Sequence, residues 1–270
     1  MPAACATRWN PRPPIRHELP GRDMMSQGEQ MPDQGPATGE GQGTRRPYVL
    51  LSAAMSVDGY IDDASPARLV LSGEEDLDRV DAVRAACDAI LVGAGTIRRD
   101  NPRLRVRSRQ RRDDRVARGL AASPRKVTVS SSGNLDPGAR FFADADAGKV
   151  IYVPGAAAAQ ARERLGDLAV VVTGADPLDL SAVLADLAGR GVARLLVEGG
   201  SHLLTQFLAG GLADELQLAI APFFVGDPAA PRLVRDGALA SAAGHRMVLA
   251  ETRQVGDMAL LRYRPGREMG

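Results

Sequence analysis

The sequence predicts an α/β fold: a mostly parallel sheet with helices on both faces and an antiparallel hairpin at its C-terminal end. From residue 48 onward, short apolar runs alternate with helical patterns, which favours parallel strands joined by helical crossovers. Most of the runs contain consecutive apolar residues, as in strands covered on both faces. The pattern changes after residue 216, where residues 247–263 form two strand patterns around Gly256-Asp257, a tight-turn sequence.

Individual elements follow from local signals. The predicted strands are residues 48–54, 88–93, 126–130, 149–153, 169–173, 194–197 and 216–221, followed by the hairpin. A capping box, Ser72-Gly73-Glu74-Glu75, opens a helix whose apolar face carries Leu77, Val80, Val83 and Ala86. A second helix, residues 178–188, is ended by glycines. Residues 105–125 contain eight arginines and two aspartates, and we predict a solvated surface loop there.

The sequence predicts one folded domain, residues 47–266, between two tails. Residues 1–46 contain 13 Gly or Pro and a single aromatic residue, Trp9. Such a segment buries too little apolar surface to offset its ordering entropy, so we expect a disordered extension. Residues 267–270 form a short C-terminal tail.

Composition excludes several classes of protein. With 34 Lys and Arg against 33 Asp and Glu, a global electrostatic attraction to nucleic acid or an anionic membrane is not expected. The longest apolar runs fall short of the 18 residues that a membrane helix needs. The two cysteines, Cys5 and a predicted buried Cys87, exclude a disulfide scaffold and a cysteine-based metal site. We expect a cytoplasmic protein without a metal site.

Two glycine-rich turns are candidate phosphate sites. Gly93 and Gly95 follow one predicted strand, Gly199 and Gly200 follow another, and each turn precedes a helical pattern. Glycine lets a phosphate approach the backbone at the start of a helix. Taken alone, either turn is a weak signal and favours a plain tight turn. The first lacks the third glycine and the acidic residue of a dinucleotide-binding fingerprint, so an ordinary Rossmann fold is a poor match.

Several blocks of sequence, in order and correctly spaced, resemble the riboflavin-pathway pyrimidine reductases. The blocks are Ser52-Ala53-Ala54-Met55-Ser56-Val57-Asp58-Gly59, Ser72-Gly73-Glu74-Glu75-Asp76, Ala89 to Thr96, Arg99-Asp100-Asn101-Pro102-Arg103-Leu104, Glu198-Gly199-Gly200, Gly211 to Leu216 and Ala221-Pro222. The resemblance implies a dihydrofolate-reductase-like three-layer fold and a homodimer. It also implies NADPH-dependent reduction of a phosphoribosylamino pyrimidine to its ribitylamino form.

The resemblance also implies roles for individual residues. Positions that line the cofactor in the family are Ala54, Thr96, Asp100, Ser131, Gly200, Ser201, His202, Leu203, Leu204, Thr205 and Gln206. Positions that line the substrate are Arg84, Leu104, Arg107 and Glu198. Guanidinium groups of Arg84 and Arg107 suit a substrate 5′-phosphate. Ser131 is placed to donate to a cofactor 2′-phosphate, and Asp100 and Glu198 are the candidate catalytic residues.

For three of these residues, an interpretation without a functional role stays open. Arg84 is also compatible with a solvated helix position, and Asp100 with a turn-forming residue before Asn-Pro. Glu198 is compatible with a carboxylate that faces away and accepts local backbone N–H bonds.

The sequence departs from the bifunctional bacterial enzymes of the family. Ser52 stands where they often have lysine, and the zinc-deaminase signature is absent from the sequence. The intact Ser-Gly-Glu-Glu-Asp block is closer to stand-alone archaeal and fungal enzymes, which reduce the pyrimidine before deamination. Two alternatives stay open: a paralogous NADPH reductase of a pterin-like or specialised substrate, and an RNA-binding protein that uses residues 105–125.

Overall fold

A computed structural model describes residues 46–65, 67, 69–242 and 244–266 of the chain. The described residues form a nine-stranded sheet in the order β5-β4-β3-β2-β6-β1-β7-β9-β8. Its strands are β1 (Tyr48–Ser56), β2 (Ala89–Gly93), β3 (Arg125–Val129), β4 (Lys149–Pro154), β5 (Val170–Gly174), β6 (Arg194–Val197), β7 (Glu215–Ala221), β8 (Val248–Val255) and β9 (Met258–Arg264). The first seven pair in parallel, and β9 pairs antiparallel with β7 and β8.

Six helices connect the strands within this described part. They are α1 (Glu74–Ala85), α2 (Ala94–Asp100), α3 (Arg109–Ala117), α4 (Gly155–Leu165), α5 (Leu180–Gly189) and α6 (Ser201–Ala209). The mixed sheet and the C-terminal hairpin confirm the fold class predicted from the sequence, and the predicted strands coincide with the observed ones to within about two residues at their ends. The predicted tails, residues 1–45 and 267–270, lie outside the described residues. Arg46, assigned to the extension, pairs with Asp214 of the domain at 2.6 Å.

Apolar side chains cover both faces of the sheet. On one face, the buried residues of α5 and α6 pack on alternate positions of the central strands, with Phe207 and Leu184 fully buried. On the other face, α2 and α4 pack with Phe141 and Phe142. Cys87 is buried in this second layer, as expected, and burial raises the pKa of its thiol to about 11. None of the described helices has the length and apolar character needed to cross a membrane.

The prediction for α1 was wrong in its cap and in its buried face. The residue that caps the helix is Gly73, which offers no side-chain oxygen, so Ser72 does not form the predicted box. The buried polar side chains of the helix are Asp76, Arg79 and Asp81, whereas the predicted apolar residues are half-buried or exposed. Charges are buried there because each finds a partner: Arg79 joins Asp76 to Gln217 of β7, both at 2.7 Å.

The predicted solvated loop, residues 105–125, was also wrong, because it contains α3. Ser108 caps this helix by accepting from the Arg111 N–H at 3.4 Å. Arg115 is only 3% exposed and donates to the carbonyls of Ala85, Cys87 and Ala121 at 2.8–2.9 Å. The buried guanidinium satisfies carbonyl groups at and just beyond the end of α1 that lack a helical partner, and thereby docks α3 on that helix. The arginine-rich sequence concealed this role.

Candidate active site

A cavity of about 380 Å³ lies at the C-terminal edge of the sheet, where β2, β3 and β6 end. Its walls come from the starts of α2 and α6, the turn after β3 and the segment between β5 and α5. The lining residues include Gly93, Gly95, Thr96, Arg98, Ser130, Ser131, Asp176, Leu178, Gly200, His202, Leu203 and Gln206. The two glycine turns identified in the sequence therefore meet in one cavity, although 105 residues separate Gly95 from Gly200.

The turn before α6 has a backbone that only glycine adopts without strain. Gly199 and Gly200 have φ values of +91° and +84°. A Cβ atom at Gly200 would lie 3.0 Å from the Thr96 hydroxyl on the opposite wall. The first hydrogen bond of the helix joins the Leu204 N–H to the Gly200 carbonyl at 3.1 Å, so the amides of Ser201, His202 and Leu203 precede it. Such a helix start is a suitable site for a phosphate or pyrophosphate group.

The structure gathers six of the predicted cofactor residues at this cavity and places five elsewhere. Those that line it are Thr96, Ser131, Gly200, His202, Leu203 and Gln206. Leu204 is 1% exposed and packs in the core. The Thr205 hydroxyl donates to the Ser201 carbonyl at 2.6 Å and accepts from the Arg235 N–H at 2.9 Å, and the Ser201 hydroxyl donates to the Arg232 carbonyl. These two hydroxyls hydrogen-bond the backbone of Arg232 and Arg235 to α6.

Ala54 and Asp100 lie outside the cavity wall. Ala54 is half-buried within β1, in register with Ala219 of β7. Asp100 is half-buried at the last position of α2, before Asn101, which adopts a left-handed conformation at the helix end. The cofactor and catalytic roles of these two residues stay predictions.

Arg84 and Glu198 form a two-pronged ion pair beside the cavity. Nε and Nη2 of Arg84 donate to the two carboxylate oxygens of Glu198 at 2.6 and 2.5 Å, and the side chains are 18% and 15% exposed. Burial acts to lower the pKa of Arg84, but the attraction of Glu198 outweighs it and holds that pKa above its ordinary value. The solvated-helix interpretation of Arg84 and the backbone-bonded interpretation of Glu198 are therefore both wrong in this structure, because each side chain faces the other.

The other two predicted substrate residues belong to the segment between α2 and α3. The backbone N–H groups of Arg107 and Ser108 donate to the buried carboxylate of Asp81 at 2.5 and 3.0 Å. The guanidinium of Arg107 is about half exposed and donates to the Leu77 carbonyl. Leu104 has φ +49° and is 3% exposed, with its side chain in the core next to α2. Arg84 also reaches this segment, donating to the Arg105 carbonyl at 3.3 Å.

Asp81 is the residue that holds this segment in place. Burial, the largest influence, raises the pKa of its carboxyl group, but the donors on Arg107, Ser108 and Arg111 together lower that pKa below its ordinary value. Arg111 reaches Asp81 at 3.0 Å and Asp78 at 2.6 Å. Arg111 is paired and Arg115 is buried, so two of the eight arginines on which the RNA-binding alternative depends are not free to contact a nucleic acid.

Sequence reasoning missed Arg98 and the wall formed by residues 176–178. Both line the cavity. A signal existed for the second: residues 169–173 were predicted as a parallel strand, and the C-terminal ends of parallel strands share one edge of the sheet, so the residues that follow reach the same edge as the glycine turns. For Arg98, the signal was its place two residues beyond Thr96 in a short helix that begins at the first glycine turn.

The fold and the site together define a reductase of the dihydrofolate-reductase-like class, with a nucleotide-sized cavity across two helix starts. The chain belongs to the RibD C-terminal domain family, whose model matches residues 47–261.

Named relatives support this membership. A 2,5-diamino-6-ribosylamino-4(3H)-pyrimidinone 5′-phosphate reductase of Methanothermobacter thermautotrophicus is 39% identical over 223 residues, which is 81% of this chain and 98% of the relative. The reductase of the same name from Archaeoglobus fulgidus is 39% identical over 69% of this chain and 85% of its own length. RibD of Chlamydia trachomatis is 32% identical over 214 residues, or 78% of this chain and 55% of RibD.

Solved structures show the same fold. The structure of Acinetobacter baumannii RibD superimposes with a TM-score of 0.69 at 25% identity, over 82% of this chain and 59% of that one. The described domain thus corresponds to part of that longer protein. Yeast riboflavin biosynthesis reductase Rib7 matches with a TM-score of 0.61 over 84% of this chain and 93% of Rib7, at 17% identity, which supports the fold alone.

Proposed function

We propose that the chain reduces a 5-phosphoribosylamino pyrimidine to the 5-phosphoribitylamino pyrimidine of riboflavin biosynthesis, with NADPH as the reductant. The observation that carries the proposal is the meeting of the two glycine turns in one cavity with a positive helix start on its wall. The match with this chain covers 85% and 98% of the length of two relatives that carry this activity in their names, and those names favour the undeaminated diaminopyrimidinone as substrate.

The residues present fit a dinucleotide. The glycines let the backbone approach a pyrophosphate, the start of α6 offers amide donors, and Thr96, Ser131, His202 and Gln206 supply polar groups around it. When bound, NADPH supplies a hydride from its nicotinamide ring to carbon 1 of the opened sugar. The task of the chain is to hold donor and acceptor carbons together and to exclude water.

We propose that the ion pair of Arg84 and Glu198 acts on the substrate at the reacting carbon. In this role Glu198 holds a hydroxyl group of the opened sugar, or stabilises the positive charge of its imine form, and Arg84 orients the carboxylate. Asp100, on the half-buried end of α2, remains the second candidate for handling the proton. Arg107 supplies a half-exposed guanidinium for the 5′-phosphate, on a backbone that Asp81 fixes.

We also propose a homodimer, as the family resemblance implies. Six of the eight residues of β8 are exposed and one is half-buried. The apolar side chains of Val248 and Leu249 are 58% and 50% exposed. This strand is also the last in the sheet, so no strand of the described residues pairs with its outer edge. A second copy would cover this surface. A mass of about twice 28.5 kDa by light scattering supports the dimer, and a mass of 28.5 kDa contradicts it.

The function is tested by following NADPH oxidation with the undeaminated and the deaminated pyrimidine phosphates side by side. We expect oxidation with at least one, and a higher kcat/KM with the undeaminated compound. If the protein oxidises NADPH with neither compound but reduces a pterin, the proposed substrate is wrong. The alternative of a paralogous NADPH reductase with a pterin-like substrate would then replace it.

Arg107→Ala is expected to raise KM for the phosphorylated substrate while leaving kcat nearly unchanged. A lost charge-assisted contact costs roughly 1.5 to 3 kcal/mol, or about one to two decades in kcat/KM, and a phosphate held equally in ground and transition states is expressed in KM. The matched control is Arg109→Ala, two residues away, whose side chain is 88% exposed and lies 3.7 Å from Asp113. Equal KM values in the two variants would move the phosphate site away from Arg107.

A further inference from the structure

Arg98 is a cation on the cavity wall without a carboxylate partner. Its neighbours in sequence are paired: Arg99 lies 2.8 Å from Asp62, and Arg103 lies 2.8 Å from Asp144. For Arg98, no carboxylate of the described residues comes within 4 Å. Nη1 of Arg98 donates a long hydrogen bond of 3.4 Å to the Asn134 carbonyl. The side chain is exposed, so its position on the wall does little for the stability of the fold.

The contact with Asn134 places Arg98 against the turn that carries Ser131. Two local bonds shape this turn: the Gly133 N–H donates to the Ser130 hydroxyl at 3.0 Å, and the Asn134 N–H donates to the Ser132 hydroxyl at 3.3 Å. Ser131 is exposed and lines the cavity. A guanidinium from α2 and a hydroxyl from the turn after β3 thus line the same cavity, and Arg98 contacts that turn through Asn134.

The chemistry of these two groups suits a phosphate monoester. A guanidinium presents several N–H donors in a fixed plane and a full positive charge, which match a dianionic phosphate, and a hydroxyl adds a further donor. The start of α6 already provides for a pyrophosphate, and a ribose hydroxyl needs no cation. The remaining titratable groups on the wall are His202 and the carboxylate of Asp176. Arg98 is therefore the group with a permanent positive charge for a second phosphate.

We propose that Arg98, together with Ser131, binds the 2′-phosphate of the cofactor and is the residue that selects NADPH over NADH. The inference rests on the proposed function in requiring a nicotinamide dinucleotide in this cavity. It goes beyond that function by assigning the choice between the two dinucleotides to one side chain on α2.

The test is a set of dissociation constants for the full chain and three variants. The ligands are NADPH, NADH, adenosine 2′,5′-bisphosphate and 5′-AMP, so two of the four measurements need neither nicotinamide nor activity. Arg98→Ala is expected to weaken NADPH and the bisphosphate about 10- to 100-fold while NADH and 5′-AMP change less than about twofold. Arg98→Lys should retain part of the preference because it keeps the charge but loses the planar donors. Arg99→Ala removes an adjacent charge from the same helix and should leave the preference unchanged.

Three results would overturn the assignment. If Arg98→Ala weakens NADPH and NADH equally, Arg98 contacts a part that both dinucleotides share. If neither affinity changes while the wild-type protein binds NADPH tightly, the proposed function stands and the role of Arg98 fails. If the wild-type protein binds neither dinucleotide, the proposed function fails together with this inference. Melting temperatures of the variants separate each of these results from misfolding.

Discussion

Replacing Glu198 with glutamine is expected to lower kcat at least tenfold, or by about 1.4 kcal/mol or more in the activation barrier. The side chain keeps its shape but loses the negative charge that faces Arg84 at 2.5–2.6 Å. The proposed work of Glu198 at the opened sugar depends on that charge. NADPH affinity should change little because Glu198 lies outside the described cavity wall. Stopped-flow kinetics under saturating substrate, with a separate binding measurement, check both parts.

Loss of the ion pair also affects stability, and a matched control separates this effect from catalysis. The partner guanidinium stays largely buried, so we expect Glu198→Gln to reduce the free energy of unfolding by roughly 1 to 3 kcal/mol. Asp186→Asn removes a carboxylate that accepts from Arg190 at 2.5 Å and from the Tyr152 hydroxyl at 2.7 Å. Asp186 lies in the second half of α5 and does not line the cavity. This control should lose stability and keep kcat. Full activity in Glu198→Gln would make Glu198 a structural residue.

Gly200→Val is expected to weaken NADPH binding at least tenfold in a protein that still folds. The backbone at Gly200 has φ +84°, where a β-branched residue is strained by about 1 to 3 kcal/mol. The added Cβ would lie 3.0 Å from the Thr96 hydroxyl and would occupy space between the two walls of the cavity. Isothermal titration with NADPH, together with a melting curve, measures affinity and stability separately.

Gly191→Val is the matched control for the backbone strain. Gly191 has φ +81° just after α5, and a Cβ atom there meets no atom within 4 Å. It should lose similar stability and keep its NADPH affinity. If Gly200→Val binds NADPH as the control does, the second glycine turn is not part of the cofactor site.

The strands of this fold are predictable from sequence and the charged helix contacts are not. Strands such as β2 and β4 are runs of consecutive buried residues, so a local pattern suffices to predict them. The buried face of α1 carries Asp76, Arg79 and Asp81, and the burial of Arg79 and Asp81 depends on partners far along the chain. Hydrophobic periodicity assigns such residues to the surface. Arg115 was misassigned for the same reason, since its partners are backbone carbonyls that no side-chain pattern reveals.

Some features of the candidate site could also be predicted from the sequence and others could not. The glycine turns could be predicted because a turn between a strand and a helix has a local sequence signature. Their convergence on one cavity depends on the order of β2, β3 and β6 in the sheet, which only the resemblance to a known family suggested. The pairing of Arg84 with Glu198 spans 114 residues, so each residue could be predicted as a site residue without its partner being known.

The most direct test of the central claim is to follow deuterium into the pyrimidine product from NADPH that carries deuterium at both hydrogen positions of carbon 4 of the nicotinamide ring. With the undeaminated ribosylamino pyrimidine 5′-phosphate as substrate, the proposed reaction predicts one deuterium at carbon 1 of a ribityl chain, seen by mass spectrometry and NMR. Consumption of NADPH without deuterium at that carbon, or no consumption with either pyrimidine phosphate, would contradict it.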